Sequence, residues 1–217
     1  MSRPVIRTLP DLIGRITSNC KPDQVRIVGV AGLSGAGKTT LCRAIAAAHP
    51  GVAHHLECDR FSAFSYSERQ SRLEKATKSG NSAAMLAEEN PRHWYAWDAL
   101  EHALSSLRSS RMFAYDRAWN KRTGMLDDNY SLALPPGGPT LVLCDCIYLL
   151  HPPVRQWFDM TVYVEAPFRL TVDRGLARAA NPQRAAYMER LHRIYSLPYF
   201  EEHAANADLV YGSRAQC

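Results

Sequence analysis

The residues best suited to chemistry form one continuous string, Gly32-Leu33-Ser34-Gly35-Ala36-Gly37-Lys38-Thr39, followed by Thr40. The pattern G-x-x-x-x-G-K-T places glycines where a backbone must turn its N–H groups toward phosphate oxygens, with Gly32, Ser34, Gly35, Ala36, Gly37 and Thr40 contributing to the cradle. Lys38 is spaced to reach the β- and γ-phosphates of a nucleoside triphosphate, and the Thr39 hydroxyl is a hard oxygen ligand suited to Mg²⁺. The string follows an apolar run, Val25 to Ala31, and opens a segment in which Leu41, Cys42, Ile45 and Ala46 recur at helical spacing. Strand, loop and helix N-terminus in that order form an anion site, because the unpaired first-turn N–H groups and the helix dipole both favour negative charge. The chemistry this predicts is the gripping of a nucleoside triphosphate.

A triphosphate bound with Mg²⁺ needs carboxylates near the metal. Asp59 and Asp145 each stand at the C-terminal end of a segment that reads as a parallel strand, Val52 to Cys58 and Leu141 to Asp145. In an open parallel sheet that end of a strand is where ligands collect. Either residue could complement Thr39 at the metal, and either could instead cap the helix that follows its strand. The identity of the attacking group is narrowed by what is missing. A base-reading N-K-x-D string is absent, since Asn120-Lys121-Arg122-Thr123 lacks the Asp, and Cys146 stands where a hydrolytic motor would place a water-polarising Glu. Asp59 then remains as a base for an acceptor hydroxyl, pointing to phosphoryl transfer onto a small molecule. A nucleoside triphosphatase and a nucleotide-dependent regulatory module are the competing readings.

These residues must be positioned by a fold, and 217 residues with 46% apolar and 22% charged content suit one sizeable soluble core. Strands at Val25–Ala31, Val52–Cys58, Leu141–Asp145, Met160–Glu165 and Asp208–Tyr211 alternate with helical segments, predicting an α/β three-layer sandwich around a mainly parallel, roughly five-stranded sheet. Residues 1–24 read as a leader containing a short helix over Leu9 to Ile16, about 60–130 as an insertion, and about 167–185 as a helical lid. Within the insertion, Arg60 to Asn81 reads as a mobile excursion or an exposed helix. Trp94, Trp97, Leu100, Leu104 and Leu107, spaced by three and four, predict a second helix with one apolar face. No apolar run is long enough for a membrane span, and no secretory signal opens the chain, so a cytoplasmic location is expected. The net charge of +5 is modest and scattered, favouring a phosphate substrate over a nucleic-acid surface. Six cysteines without metal-ligand spacing read as reduced thiols, and a homo-oligomer is compatible with the sequence.

Nearly the whole chain, from about Val25 to Tyr211, resembles the uridine kinase-like family of P-loop small-molecule kinases, whose relatives include phosphoribulokinase and bacterial pantothenate kinase. Asn90-Pro91-Arg92-His93-Trp94-Tyr95-Ala96-Trp97-Asp98 is similar to that family's Asn-Phe-Asp-His-Pro-x-Ala-Phe-Asp stretch, and Tyr115 to Thr123 to its Tyr-Asp-Phe-x-x-His-x-Arg-Thr stretch. The resemblance implies an ATP-dependent, Mg²⁺-dependent kinase acting on a hydroxyl of a nucleoside or related metabolite. It implies Asp59 as general base, Asp145 as metal assistant, and Tyr115 in an acceptor pocket with Arg92, His93, Asn120 and Arg122. Arg169, Arg174 and Arg178 would serve an Arg-rich lid. Arg92 stands where the family has an acidic ribose-binding residue, Asn120 where it has a base-contacting His, and Arg117 where it has a Phe. The first and last of these changes replace an acceptor or a ring by a cation, which suits an acceptor bearing carboxylate or phosphate.

Overall fold

The computed structural model of the chain describes residues 4–18, 20–177 and 181–212. In chain order its elements begin β1 (Val5–Ile6), α1 (Leu9–Thr17), β2 (Val25–Ala31), α2 (Lys38–Ala48) and β3 (Ala53–Glu57). They continue with α3 (Tyr66–Lys78), α4 (Ser82–Glu89), α5 (Trp97–Ser110), β4 (Met112–Ala118) and β5 (Asp128–Ala133). The last group is β6 (Thr140–Asp145), β7 (Met160–Glu165), α6 (Phe168–Leu176), α7 (Pro182–Leu191), α8 (Leu197–His203) and β8 (Leu209–Gly212). Two compact units result. One is the stretch Cys58–Ala133, and the other is formed by the described residues on either side of it.

The larger unit is built on a parallel sheet in the order β1-β8-β7-β2-β6-β3. Its central strands are apolar nearly throughout because both faces are covered: Ile27, Val28, Leu143, Cys144 and Val142 are fully buried. Helix α2 packs over β2, β3 and β6. The sheet has six strands among the described residues where about five are expected, and the addition is β1. Two residues are too short to carry an alternation; parallel pairing to β8, not sequence pattern, makes Val5–Ile6 a strand. Helix α1 starts where Thr8 accepts from the Asp11 backbone N–H and Pro10 sits in the first turn, a well-formed N-terminus. Asp208 joins β7 to β8, accepting from the Thr161 backbone N–H at 2.6 Å, the Thr161 hydroxyl at 3.1 Å and the Arg155 guanidinium at 2.6 Å.

The smaller unit contains α3, α4, α5 and an antiparallel ribbon of β4 and β5 with a bulge between Tyr115 and Ala118. The polar stretch from Arg60 is a helix over Tyr66–Lys78, opened by a reciprocal capping box between Ser65 and Glu68. The expected Trp-containing helix starts later than its periodicity indicates. Trp94 closes a 3-10 turn over Pro91–Trp94, and α5 begins at Trp97. Its Leu100, Leu104 and Leu107 are buried as predicted. Phe61, Phe113, Tyr115 and Tyr130 form an aromatic core, with Phe61 stacked on Tyr115 at 5.2 Å and Phe113 edge-on to Tyr130 at 5.5 Å. The Arg69 guanidinium lies 4.9 Å from the Trp94 ring and 3.9 Å from that of Trp119, holding α3 to the ribbon side by cation–π attraction.

Candidate functional site

The phosphate-binding string leaves β2 at Ala31 and enters α2 at Lys38. Two glycines make its path feasible. Gly35 has φ +88°, and a Cβ there would sit 2.7 Å from the Thr171 carbonyl oxygen on α6; Gly32 has φ +153°, and its Cβ would meet the Val164 carbonyl at the same distance. Gly37, the N-cap of α2, has φ +101° with open space around it. The backbone thus turns in a region that side chains disfavour and is closely packed along one flank. Lys38 is buried, and its Nζ donates to the Leu33 carbonyl at 3.0 Å, so the ammonium is folded against its own loop.

Asp145, the last residue of β6, is also buried and bound at both oxygens. Oδ2 accepts from the Thr39 hydroxyl at 2.5 Å, and Oδ1 accepts from His55 Nε2 at 2.7 Å. This follows from topology, because β3 and β6 are paired with Glu57 opposite Asp145, which sets His55 two residues back on the same face. Glu57 instead pairs outward with Arg43 at 2.8 Å. Among the described residues no cluster of three or more His, Cys, Asp or Glu side chains could hold a metal alone. The adjacent hydroxyl and carboxylate are nevertheless the hard oxygen donors that Mg²⁺ takes when phosphate oxygens and water complete its shell. Cys42, behind this pair, has its thiol pushed well above the ordinary range by burial and then by the Asp145 charge.

On α6, Arg174 donates to the Gly35 carbonyl at 3.0 Å, bringing one predicted lid arginine onto the loop. Arg169 is exposed in the first turn of the same helix. Helix α6 is described to Leu176, and Arg178, expected to share a helix face with Arg174, lies outside the described residues.

The remaining candidates belong to the smaller unit. Asp59 sits in a 3-10 turn over Cys58–Arg60, just past the strand it was expected to end, and its exposed carboxylate is 3.7 Å from Lys121 Nζ. Arg60 reaches Asp128 at 2.6 Å and anchors that turn to β5. Tyr115 is half-buried; desolvation raises its phenol, opposed by the Arg117 charge and aided by Asp116. One ring face is already covered by Phe61. Asn120 is the hub of a turn: its Oδ1 accepts from the backbone N–H groups of Arg122 and Thr123 at 3.0 and 3.4 Å, and its Nδ2 donates to Asp127 at 3.1 Å. His93 Nδ1 donates to the Ala87 carbonyl at 2.9 Å. The side chains of Arg92, Arg117 and Arg122 make no hydrogen bond or ion pair with the described residues.

Sequence reasoning missed His55. No sequence signal pointed to it, because only the pairing of β3 with β6, Glu57 opposite Asp145, shows that His55 shares a face with that carboxylate.

A glycine loop joining a central parallel strand to a helix, with its lysine and threonine in place and a strand-end aspartate on the threonine, defines a P-loop nucleotide-binding protein. The sequence model of the Phosphoribulokinase / Uridine kinase family matches residues 27–193, and the chain belongs to that family. Similar solved structures include that of a possible uridine kinase from Bacillus stearothermophilus, with 16% identity, 94% of this chain and 97% of that chain covered, and a TM-score of 0.63. Phosphoribulokinase from Rhodobacter spheroides has 13% identity over 83% of this chain and 68% of its own, at a TM-score of 0.58. D-glycerate 3-kinase from Cryptococcus neoformans var. grubii has 12% identity over 91% and 86%, at 0.56. At these identities the likeness establishes the shared fold. Among curated proteins none is detectably similar in sequence to the chain. No helix among the described residues is long and apolar enough to cross a membrane.

Proposed function

We propose that this kinase transfers the γ-phosphoryl group of ATP to a hydroxyl of a small-molecule acceptor, a nucleoside or a related metabolite. The observation that carries the reading is the contact of the Thr39 hydroxyl with the Asp145 carboxylate at the mouth of the glycine loop. Loop N–H groups and the α2 N-terminus bind the phosphates, and Lys38, on leaving the Leu33 carbonyl, stabilises charge on the transferring group. Thr39 and Asp145 would hold Mg²⁺, which when bound supplies charge neutralisation across the β- and γ-phosphates. Asp59 accepts the acceptor hydroxyl's proton once Lys121 yields its carboxylate, an exposed ion pair that costs only about 0–1 kcal/mol to break. Arg174 and Arg169 steady the phosphoryl oxygens from α6.

A second reading, an acceptor that itself carries carboxylate or phosphate, is favoured by Arg92, Arg117 and Arg122, cationic side chains of the smaller unit that make no hydrogen bond or ion pair with the described residues. The related structures bear names of kinases for both kinds of acceptor, a possible uridine kinase beside phosphoribulokinase and D-glycerate 3-kinase. Incubation with Mg·ATP and pooled metabolites, followed by mass spectrometry for any species gaining one phosphoryl group, tests both readings. A phosphorylated product that disappears with Lys38→Ala, in which turnover should fall about a hundredfold or more, supports transfer. ADP release at full rate without any acceptor would replace transfer by hydrolysis.

A further inference from the structure

We propose that His55 is a positioning residue, which holds the Asp145 carboxylate in the orientation from which it and Thr39 take the metal ion of a bound nucleotide; the proposal rests on the phosphoryl-transfer reading above. The torsion that rotates an Asp carboxylate is broad and soft, so packing alone does not fix the direction of its oxygens. Asp145 is fixed at two points, Oδ1 by His55 Nε2 at 2.7 Å and Oδ2 by Thr39 at 2.5 Å. An ionised carboxylate only accepts, so His55 Nε2 carries the proton and donates it. The Thr39 bond cannot persist unchanged once the same hydroxyl and carboxylate turn their lone pairs to a cation. The His55 bond can, and it then becomes the remaining restraint on the carboxylate.

The side chains of His55 and Asp145 are only 10% and 9% exposed, so water is a poor substitute for the imidazole. β3 supplies the histidine because it is the strand paired to β6, with His55 and Asp145 on the face that α2 covers. A partner that hydrogen-bonds a ligating carboxylate sets its direction and basicity, and removing such a partner typically lowers metal affinity by 10–100-fold.

The test is nucleotide binding, not turnover. Dissociation constants of the β,γ-imido analogue of ATP are measured with Mg²⁺ and with EDTA for the wild type, His55→Leu and His55→Gln. In His55→Leu the Mg²⁺-dependent gain in affinity should fall about tenfold or more, with little change in EDTA, and His55→Gln, which keeps a donor, should recover most of it. Kinetically, His55→Leu should raise the KM for Mg·ATP more than it lowers kcat. A His55→Leu protein with an unaltered Mg²⁺ gain, or with equal losses in Mg²⁺ and EDTA, overturns the proposal, because a merely structural histidine would lower the melting temperature and leave that gain intact. Should the leucine variant not fold, His55→Asn, polar but too short to span to Asp145, is read by the same ratio. A wild-type chain that binds the analogue in neither condition would overturn the phosphoryl-transfer reading itself, and this proposal with it.

Discussion

Replacing Gly35 by alanine, with Gly37→Ala as its control, separates two physical demands on the glycine loop. Both positions have positive φ, +88° and +101°, where an L side chain costs about 1–2 kcal/mol of backbone strain. Only Gly35 is also crowded, since a Cβ there would lie 2.7 Å from the Thr171 carbonyl while nothing stands within 4 Å of one at Gly37. A rigid main-chain atom cannot step aside as a flexible side-chain end could, so α6 must shift and the Arg174 bond to the Gly35 carbonyl is lost with it. A hydrogen bond from a charged donor contributes about 1.5 kcal/mol at the weak end of its range, which is the end that suits an exposed arginine. The total for Gly35→Ala is then about 3 kcal/mol, against about 1–2 for Gly37→Ala. For a chain of this size each kcal/mol moves the melting midpoint by about 2–4 °C, giving losses of about 6–12 °C and about 2–8 °C. Thermal melts by circular dichroism of the two variants without nucleotide decide the matter. Equal midpoints would refute the claim that α6 rests directly on the loop.

Two further outcomes follow from individual side chains. Asp59→Asn should keep binding of the ATP analogue and lose transfer by about a hundredfold or more, as expected for a lost general base; equal loss of both, measured by titration and by product formation, would leave Asp59 a merely structural residue. Cys42, fully buried and with its thiol pushed up, should stay unmodified by iodoacetamide at mildly alkaline pH in the folded protein while the half-exposed Cys20 reacts, and peptide mass mapping before and after denaturation checks this.

The strand, loop and helix from Val25 to Ala48 were legible in the sequence because each level agrees. Val25–Ala31 is an apolar run of strand length, the glycines fall where the path turns, and the helical period resumes at Leu41. Asp145 was legible as well, since a buried parallel strand ends on it. The ribbon of β4 and β5 was not. Its residues alternate between half-exposed and exposed with only Phe113 and Ala118 buried, and its stability comes from cross-strand aromatic contacts made by residues distant in sequence. Trp94 matched a helical period by spacing alone, while Pro91 and the Asn90 side chain, which accepts from the Arg92 N–H, imposed a tighter turn there. Asn120 read as a pocket position by its place in a family string, yet its short amide serves the local main chain, a frequent use of Asn in turns.

The stretch from Cys58 to Ala133 interrupts the parallel sheet between β3 and β6, strands that lie side by side, and it carries its own ribbon and aromatic core. None of the six strands of the parallel sheet lies inside it. Two cuts in the gene, one between β3 and the turn at Cys58 and one between β5 and β6, would therefore exchange this whole interval for a relative's and leave every strand of the parallel sheet in the original chain.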